Sequence, residues 1–205
     1  GFLLKTFLIV SLAVSLSDCD NAKYEVYPTD SIPTRAVVEP DKGFLYPVSP
    51  GTPEWYALNS DERLQICQIP EDVIHSLTSY SLAISCIENP LALQFCLKND
   101  EHKAVSEEIQ TLNCLDQLLN RHDGIKCLVE LYQSLNMNSD YKYVLMKLEF
   151  LELLLSGDEV LSKATESELE LIGNAAKEKA EYKINNPDTF GLVSVKRALM
   201  LEISS

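Results

Sequence analysis

The sequence SDYKYVLMKLEFLELLL, at residues 139–155, decides the fold class because its apolar residues recur with the period of an α-helix. One apolar stripe along this helix consists of Val144, Leu148, Leu151 and Leu155. Other apolar residues widen the stripe almost all the way round. Lys142, Glu149 and Glu152 share the remaining polar side, and Lys147 lies opposite. A helix this apolar is predicted to lie in the middle of a core, while its charges and length exclude a membrane span.

Outward from this helix, residues 51–205 are predicted to form an all-α domain built as a compact array of short helices. Seven glycines in 205 residues and a hydrophobic content of 46 % suit a helical core better than a sandwich or barrel. Helical spacing of apolar residues predicts helices at 60–68, 70–77, 79–88, 91–97, 101–121, 125–135 and 192–203. No repeat period is evident, so the array is either an orthogonal bundle or an α-solenoid-like stack.

Two helix starts carry clear capping signals. Thr52 is a predicted N-cap and is followed by Pro53, which suits the first helical turn. Thr165 and Glu168 have the spacing of a capping box for a second helix. The predicted buried face of that helix consists of Leu169, Ile172, Ala176 and Ala180. Its basic residues, Lys177, Lys179 and Lys183, lie toward its end, as the helix dipole prefers.

The N-terminal residues are typical of an export signal. Residues 1–18 combine a basic residue, Lys5, with an apolar stretch from Thr6 to Leu16 that is too short to span a membrane. Leu16 lies three residues before Cys19, as in a bacterial lipobox, although Asp18 departs from the small residue usual there. We therefore predict lipidation of Cys19, with cleavage near Ser17 as the alternative.

Residues 19–50 are predicted to form an extended tether, because prolines remove amide donors and disfavour helix. Six of the nine prolines fall between residues 20 and 53. The aromatic segment around Phe44 could pack on the domain with short edge-strand character. Trp55 and Tyr56 are the candidate anchors of the tether to the domain, and the alternative role for Trp55 is a ligand-stacking platform.

The net charge restricts the partners. With 31 acidic and 17 basic residues the formal charge is −14. Nucleic acids and anionic membrane surfaces require clustered Lys or Arg, so we exclude both as partners. A membrane contact is expected only through an N-terminal lipid.

The remaining five cysteines, Cys67, Cys86, Cys96, Cys114 and Cys127, show no C-x-x-C pair and no zinc-ribbon spacing. Most have apolar neighbours at helical spacing, which predicts small, unpaired core residues rather than a disulfide, a metal ligand or a catalytic thiol. The histidines, His75, His102 and His122, are never four residues apart, so no helical metal pair exists. We predict no metal and no cofactor.

No motif for catalysis is present. Neither the nucleophile elbow G-x-S-x-G nor a phosphate-binding glycine loop occurs. Among Glu166, Glu168 and Glu170 only the first and last share a helix face, and Asp158-Glu159 lacks the ligand pattern of a calcium loop. These acidic groups are predicted to be solvated.

Several segments carry a resemblance to a known group of proteins. They are Gly51-Thr52-Pro53-Glu54-Trp55, Cys67 to Val73, Cys86 to Leu91 and Leu118 to Gly124. In these segments the chain resembles uncharacterised exported helical proteins, many of them lipoproteins, from anaerobic gut bacteria of the Bacteroidetes type. The resemblance implies export, an all-helical fold and bacterial origin, and it implies no substrate.

These observations favour an exported, surface-tethered helical protein that acts by binding an envelope protein or an extracellular ligand, without enzymatic activity. Free secretion is the alternative location. The alternative function is a secreted hydrolase that uses acidic residues from separate helices. A deep pocket with two carboxylates of displaced pKa would favour the hydrolase, and a broad apolar groove would favour the binding protein.

Overall fold

The computed structural model describes residues 37–39, 42–92, 101–138 and 141–205. The predicted signal segment, the lipidation site Cys19, most of the predicted tether and Cys96 with its helix at 91–97 lie largely or wholly outside these residues. A short antiparallel hairpin comes first. Its strands are β1 (Val37–Glu39) and β2 (Gly43–Leu45), with Val38 opposite Phe44.

The rest of the described chain is helical, which confirms the all-α fold class. The helices are α1 (Pro53–Ala57), α2 (Ser60–Ile66), α3 (Glu71–Ser76), α4 (Ser79–Ile87), α5 (Glu101–Thr111), α6 (Asn113–Leu119), α7 (Gly124–Ser134), α8 (Tyr141–Leu155), α9 (Asp158–Leu161), α10 (Glu166–Asn185) and α11 (Leu192–Ser204). Within the four described ranges, none of the helices combines the length and the apolarity that a bilayer crossing requires.

Both predicted caps are confirmed. The Thr52 hydroxyl accepts the Trp55 N–H at 3.2 Å, with Pro53 in the first turn of α1. In the capping box of α10, the Thr165 N–H donates to Glu168 Oε2 at 2.8 Å, and the Glu168 N–H donates back to Thr165 Oγ1 at 3.3 Å. These local bonds satisfy amides that the first helical turn leaves without partners.

The helix α8 lies in the middle of the core, as its sequence predicts. It contacts α4, α5, α7, α9 and α11. Its leucines Leu148, Leu151 and Leu155 have no exposed surface. Because α4 precedes α8 by four helices and still touches it, the array is a bundle around α8 rather than a stack in which each unit meets only its neighbours.

The single helix predicted at 101–121 is wrong. Leu112 has an extended backbone (φ −100°, ψ 110°) that separates α5 from α6. The Asn113 amide accepts the Ile69 N–H at 3.1 Å and donates to the Ile69 carbonyl at 2.7 Å. Gln68 in turn accepts the Asn113 N–H at 3.0 Å and donates to the Thr111 carbonyl at 3.0 Å. The break is therefore stabilised by side chains about 44 residues distant, as the separations of 43 to 45 residues show.

The predicted packing of the aromatic segment around Phe44 on the domain is confirmed. Phe44 is part of the hydrophobic core and Tyr46 packs against it. Residues at the end of the predicted tether thus pack on the domain, because their aromatic side chains bury more favourably there than in an extended, solvated linker.

Candidate functional site

The backbone of the hairpin packs closely against α4 at Gly43, a position that suits glycine. Gly43 has φ +77°, and a Cβ atom there would lie 2.5 Å from Ser85 Oγ and 2.6 Å from the Ser81 carbonyl oxygen. Other residues disfavour this backbone region, and no side chain fits the space. The next amide, that of Phe44, donates to Ser85 Oγ at 2.9 Å. The hairpin therefore lies directly against α4.

Tyr46, which follows the hairpin, also bonds to α4 and to the residues just after it. Its hydroxyl donates to the Ser85 carbonyl at 2.9 Å and accepts from Asn89 Nδ2 at 3.0 Å. Asn89 Nδ2 also donates to the Cys67 carbonyl at 2.9 Å. Burial raises the pKa of Tyr46 well above its usual value. The phenol is thus a neutral, fully engaged hydrogen-bonding group that stabilises this region.

A half-open groove of approximately 600 Å³ lies between the hairpin and the helices α4, α7 and α8. We call it the hairpin groove. Its apolar wall includes Leu45, Ile84, Ile87, Leu131, Leu135 and Leu151. Its volume falls in the range of pockets that bind small ligands, roughly 300–1,000 Å³, and such pockets combine apolar walls with a few polar groups.

The polar groups of the hairpin groove are mainly charged. The Lys147 ammonium on α8 forms an ion pair with the Glu88 carboxylate at the end of α4. Their side chains are 17 % and 33 % exposed, so both are in contact with solvent. Lys42 lines the groove from the hairpin turn and is exposed. Among the described residues, the charged groups that line the groove are these two lysines and this glutamate.

Four cysteines fall within the described chain, and all are free and buried, as predicted. Burial raises the pKa of Cys67 to about 12 and that of Cys127 to about 11. The pKa of Cys86 is also raised, first by burial and then by its hydrogen bond with Cys114. Because the thiolate is the reactive form, the raised pKa values make Cys67, Cys86 and Cys127 poor nucleophiles and poor metal ligands at neutral pH.

A second polar cluster is buried between α8, α10 and α11. Lys183 Nζ donates to the two carboxylate oxygens of Glu152 at 2.8 and 2.7 Å and to the Ser194 carbonyl at 3.0 Å. The Tyr132 hydroxyl donates to Glu152 Oε1 at 3.0 Å. Lys183 has no exposed surface and Glu152 is 1 % exposed. Every proton of the ammonium thus has an acceptor, which a buried charge requires.

Glu149, one turn before Glu152, extends this cluster toward α11. Arg197 Nη1 lies 2.6 Å from Glu149 Oε2, and the Ser194 hydroxyl donates to Glu149 Oε1. Lys183 Nζ lies 3.5 Å from the same Oε1 atom. Two carboxylates therefore face two cations, and the cluster is formally neutral.

The electrostatics of this cluster follow from burial. Burial raises the pKa of Glu152 to about 7, although the Lys183 ammonium opposes the shift. Burial and the neighbouring Glu152 charge raise the pKa of Tyr132 far above its usual range. The phenol is therefore always protonated and always a donor.

Glu149 and Glu152 lie on one polar side of α8, as the sequence predicts, and this side faces Lys183 and Arg197 inside the bundle. Lys183 was predicted to lie toward the end of α10, where the helix dipole favours a cation. Its side chain is instead buried in the cluster. Lys179 is buried as well, and its ammonium donates to the Leu135 carbonyl, at 2.9 Å, just past the end of α7. Burial lowers its pKa.

A signal for the buried lysine is present in the sequence. Lys183 lies seven residues after Ala176 and three after Ala180, in phase with the apolar face of α10. Glu152 lies in the same way between Leu148 and Leu155 on α8. When a lysine on one helix and a glutamate on another helix each lie in phase with the apolar residues of their own helix, the two side chains are expected to form a buried ion pair.

The predicted anchors have different environments. Trp55 is 5 % exposed and belongs to the core, with the Arg63 guanidinium 5.2 Å from its ring centre. Tyr56 is 71 % exposed. Because its ring is covered, Trp55 is not positioned to stack on a ligand.

The histidines and acidic runs form no site in the described part of the chain. The side chains of His75 and His122 are largely exposed, beside Glu71 and Asp123 respectively, and that of His102 lies outside the described part. Within the same ranges, no three His, Cys, Asp or Glu side chains are grouped so as to hold a metal ion. Three of the acidic residues that were predicted to be solvated are exposed, namely Asp158, Glu166 and Glu170.

Comparisons of the chain with models of protein families, with curated proteins and with solved structures returned no match. The function is therefore inferred from the geometry of the hairpin groove and of the buried cluster.

Proposed function

We propose that this protein is a helical binding module, exported and tethered at a cell surface, and that the hairpin groove is its ligand site. The observation that carries the proposal is the groove itself. Its wall is apolar and is formed by three helices and the hairpin. Charged side chains that are accessible to solvent also line it. Apolar walls with a few polar groups are typical of ligand sites.

The buried cluster supports a structural role and not the hydrolase alternative. A general acid or base must reach the substrate directly or through one water. Glu152 is 1 % exposed, and its oxygens already accept bonds from Lys183 and Tyr132. The raised pKa of Glu152 is a consequence of its burial, so it does not by itself indicate catalysis.

The location is proposed from the sequence. The apolar stretch from Thr6 to Leu16, followed by Cys19 and a proline-rich segment, favours export and an N-terminal lipid. The intact mass of the protein from its native cells tests this. A mass that begins at Cys19 and includes acyl chains would support a tethered lipoprotein, and a mass without lipid would mean free secretion.

The ligand site is tested with N-phenyl-1-naphthylamine, a neutral apolar probe whose fluorescence rises on leaving water. We expect the full chain to bind it at one saturable site. Leu45→Asp places a charge on the apolar wall at a residue that is 42 % exposed, so the fold should tolerate it. The affinity should fall at least about tenfold, which corresponds to about 1.4 kcal/mol.

The matched control is Leu192→Asp. Leu192 lies on α11, is 89 % exposed and does not line the hairpin groove. Its substitution should leave probe affinity unchanged. Equal affinity of the wild type and Leu45→Asp, or a loss in Leu192→Asp alone, would show that the probe binds elsewhere and would refute the proposed site.

A further inference from the structure

We infer that the exposed face of α11 is an interface with a second copy of this chain, and that the two copies pair antiparallel along this helix. This face lies outside the hairpin groove, so the inference goes beyond the proposed function. It rests on the apolar composition of the face, on the fixed orientation of the helix and on the order of the residues along it.

The exposed face of α11 is more apolar than the buried face of the same helix. Large apolar side chains are exposed at five positions of α11, namely Leu192, Val193, Leu199, Met200 and Ile203. We call these residues, with Lys196 among them, the α11 face. The buried side of the helix consists of Ser194, Ala198 and Leu201. Amphipathic helices normally bury their apolar side, and contiguous exposed apolar surface marks interaction sites, whereas single scattered residues do not.

Buried polar contacts hold α11 in this orientation. The Ser194 carbonyl accepts from Lys183 Nζ at 3.0 Å, and Arg197 Nη1 lies 2.6 Å from Glu149 Oε2. Rotation of α11 about its axis would break both contacts and remove one acceptor from an ammonium group that is fully buried. The helix therefore does not turn the α11 face inward, and this face stays available to a partner.

The residues of the α11 face are ordered so that one copy complements another. Its central stripe consists of Leu192, Lys196, Leu199 and Ile203, at spacings of four, three and four residues. These spacings are the same from either end, so two copies related by a two-fold axis can pair antiparallel. Leu192 then packs against Ile203 of the second copy, and by symmetry the same contact forms at the other end.

The charges of α11 favour the antiparallel direction. Lys196 is exposed and Glu202 is partly exposed. In the antiparallel pair Lys196 lies level with Leu199 of the second copy, and Glu202 of that copy is about 4.5 Å further along its helix. The flexible four-carbon stem of lysine can cross that distance. In a parallel, in-register pair the same two residues would be separated by about 9 Å along the axis.

The size of the α11 face sets the strength of the dimer. The helix has 13 residues, so the face is a strip about 20 Å long and about 10 Å wide. Such a strip buries on the order of a few hundred Å² on each copy, below the roughly 800 Å² per partner of standard interfaces. Interfaces of that size are typical of weak complexes. We therefore expect a reversible dimer with a dissociation constant on the order of 10–100 µM.

Sedimentation velocity of the full chain between about 5 and 500 µM tests the inference, because a weak dimer forms within this range. The wild type should change from monomer to dimer. Leu192→Asp combined with Ile203→Asp should weaken the dimer at least about tenfold, because it buries charges in the apolar interface. These two side chains are 89 % and 83 % exposed, so the fold should tolerate both changes. The matched control is Leu45→Asp, the same substitution at an exposed leucine outside α11, and it should leave the dimer unchanged.

A charge exchange tests the antiparallel pairing. Lys196→Glu alone and Glu202→Lys alone should each weaken the dimer at least about threefold, because each brings like charges together. The variant with both substitutions restores opposite charges across the interface, so its dissociation constant should return to within about twofold of the wild type. Unchanged circular dichroism will show that each variant is folded. A double variant that is weaker than either single variant would contradict this pairing.

Three other outcomes would overturn the inference. A wild-type chain that stays monomeric up to about 500 µM would show that a second copy does not cover the α11 face. A dimer that persists in the Leu192→Asp, Ile203→Asp variant would show that the copies meet elsewhere. A monomer that sediments with phosphatidylcholine vesicles, and loses this property in the same variant, would show that a lipid surface covers the face. Each of these outcomes leaves the hairpin groove as a separate question, which the naphthylamine probe decides.

Discussion

Two of the lysine–glutamate pairs at helix α8 have opposite environments. On one side Glu152 meets Lys183, and both side chains have no exposed surface. On the other side Lys147 meets Glu88, with 17 % and 33 % of their side chains exposed. The first pair is enclosed by Tyr132 and Ser194, which occupy its remaining hydrogen-bonding positions. The second pair borders the hairpin groove.

The difference shows that the same two residue types contribute differently to stability in the two environments. A fully buried pair cannot lose one member without leaving its partner unpaired in a low dielectric. A pair in contact with water can lose one member at little cost, because water compensates for the lost contact. We therefore assign the Glu152–Lys183 pair to the packing of α8 against α10 and expect the Lys147–Glu88 pair to contribute little to stability.

The largest effect should come from Lys183→Met. Lys183 lowers the pKa of Glu152, so without Lys183 the buried carboxylate must either stay charged without a cation or take up a proton. Removal of one partner from a buried pair costs about 3–5 kcal/mol in comparable cases. Urea denaturation of the variant and of Lys177→Met, whose lysine is exposed on the same helix, measures this loss. A loss below about 1 kcal/mol would mean that the pair does not hold α8 and α10 together.

Replacement of both members should recover most of that loss. In the double variant Glu152→Met, Lys183→Met no charge is left unpaired, and hydrophobic replacement of a buried pair is often neutral or stabilising. We expect a free energy of unfolding at least about 2 kcal/mol above that of Lys183→Met. If the double variant is as unstable as the single one, the defect arises from packing and not from the isolated charge.

The pH dependence of stability tests the electrostatics of the buried pair. Burial raises the pKa of Glu152 from 4.5 in the unfolded chain to about 7 in the folded protein. Between these values the folded state binds more protons, so the contribution of Glu152 to stability should decrease as pH rises from about 4.5 to 7.

The measurement compares wild type with Glu152→Gln over this interval. The difference in their free energies of unfolding should fall with rising pH by at most about 1.4 kcal/mol per unit. A difference that instead grows with pH would show that attraction by Lys183 outweighs burial and lowers the pKa of Glu152.

The smallest effect on stability should come from Lys147→Met. Pairs in contact with solvent contribute about 0–1 kcal/mol, so the urea midpoint should change little. A stability loss as large as that of Lys183→Met would remove the distinction between the two pairs.

The parts of the fold that depend on local interactions were predictable from the sequence. The caps at Thr52 and Thr165 and the central position of α8 follow from residue spacing within a single helix. The break at Leu112 was not predictable, because Gln68 and Asn113 stabilise it through bonds that span more than 40 residues. Apolar periodicity alone continues through that position.

The candidate site was less predictable than the fold. The hairpin groove combines residues from Lys42 to Leu151, and sequence spacing carries no information on which helices meet there. The sequence analysis did not predict the Glu152–Lys183 pair, because periodicity describes one helix at a time. The one signal for the pair is that Glu152 lies in phase with apolar residues of α8 and Lys183 lies in phase with apolar residues of α10.

Methyl-resolved nuclear magnetic resonance during a titration with N-phenyl-1-naphthylamine tests the central claim most directly, because it locates the bound probe in the folded full chain. The account predicts that the methyl signals of Ile84, Ile87 and Leu135 shift and saturate with one equivalent of ligand. Those of Leu192 and Ile203, which are exposed on α11, should remain in place. Shifts confined to α11, or no saturable shifts in the groove, would contradict the claim that the hairpin groove is the ligand site.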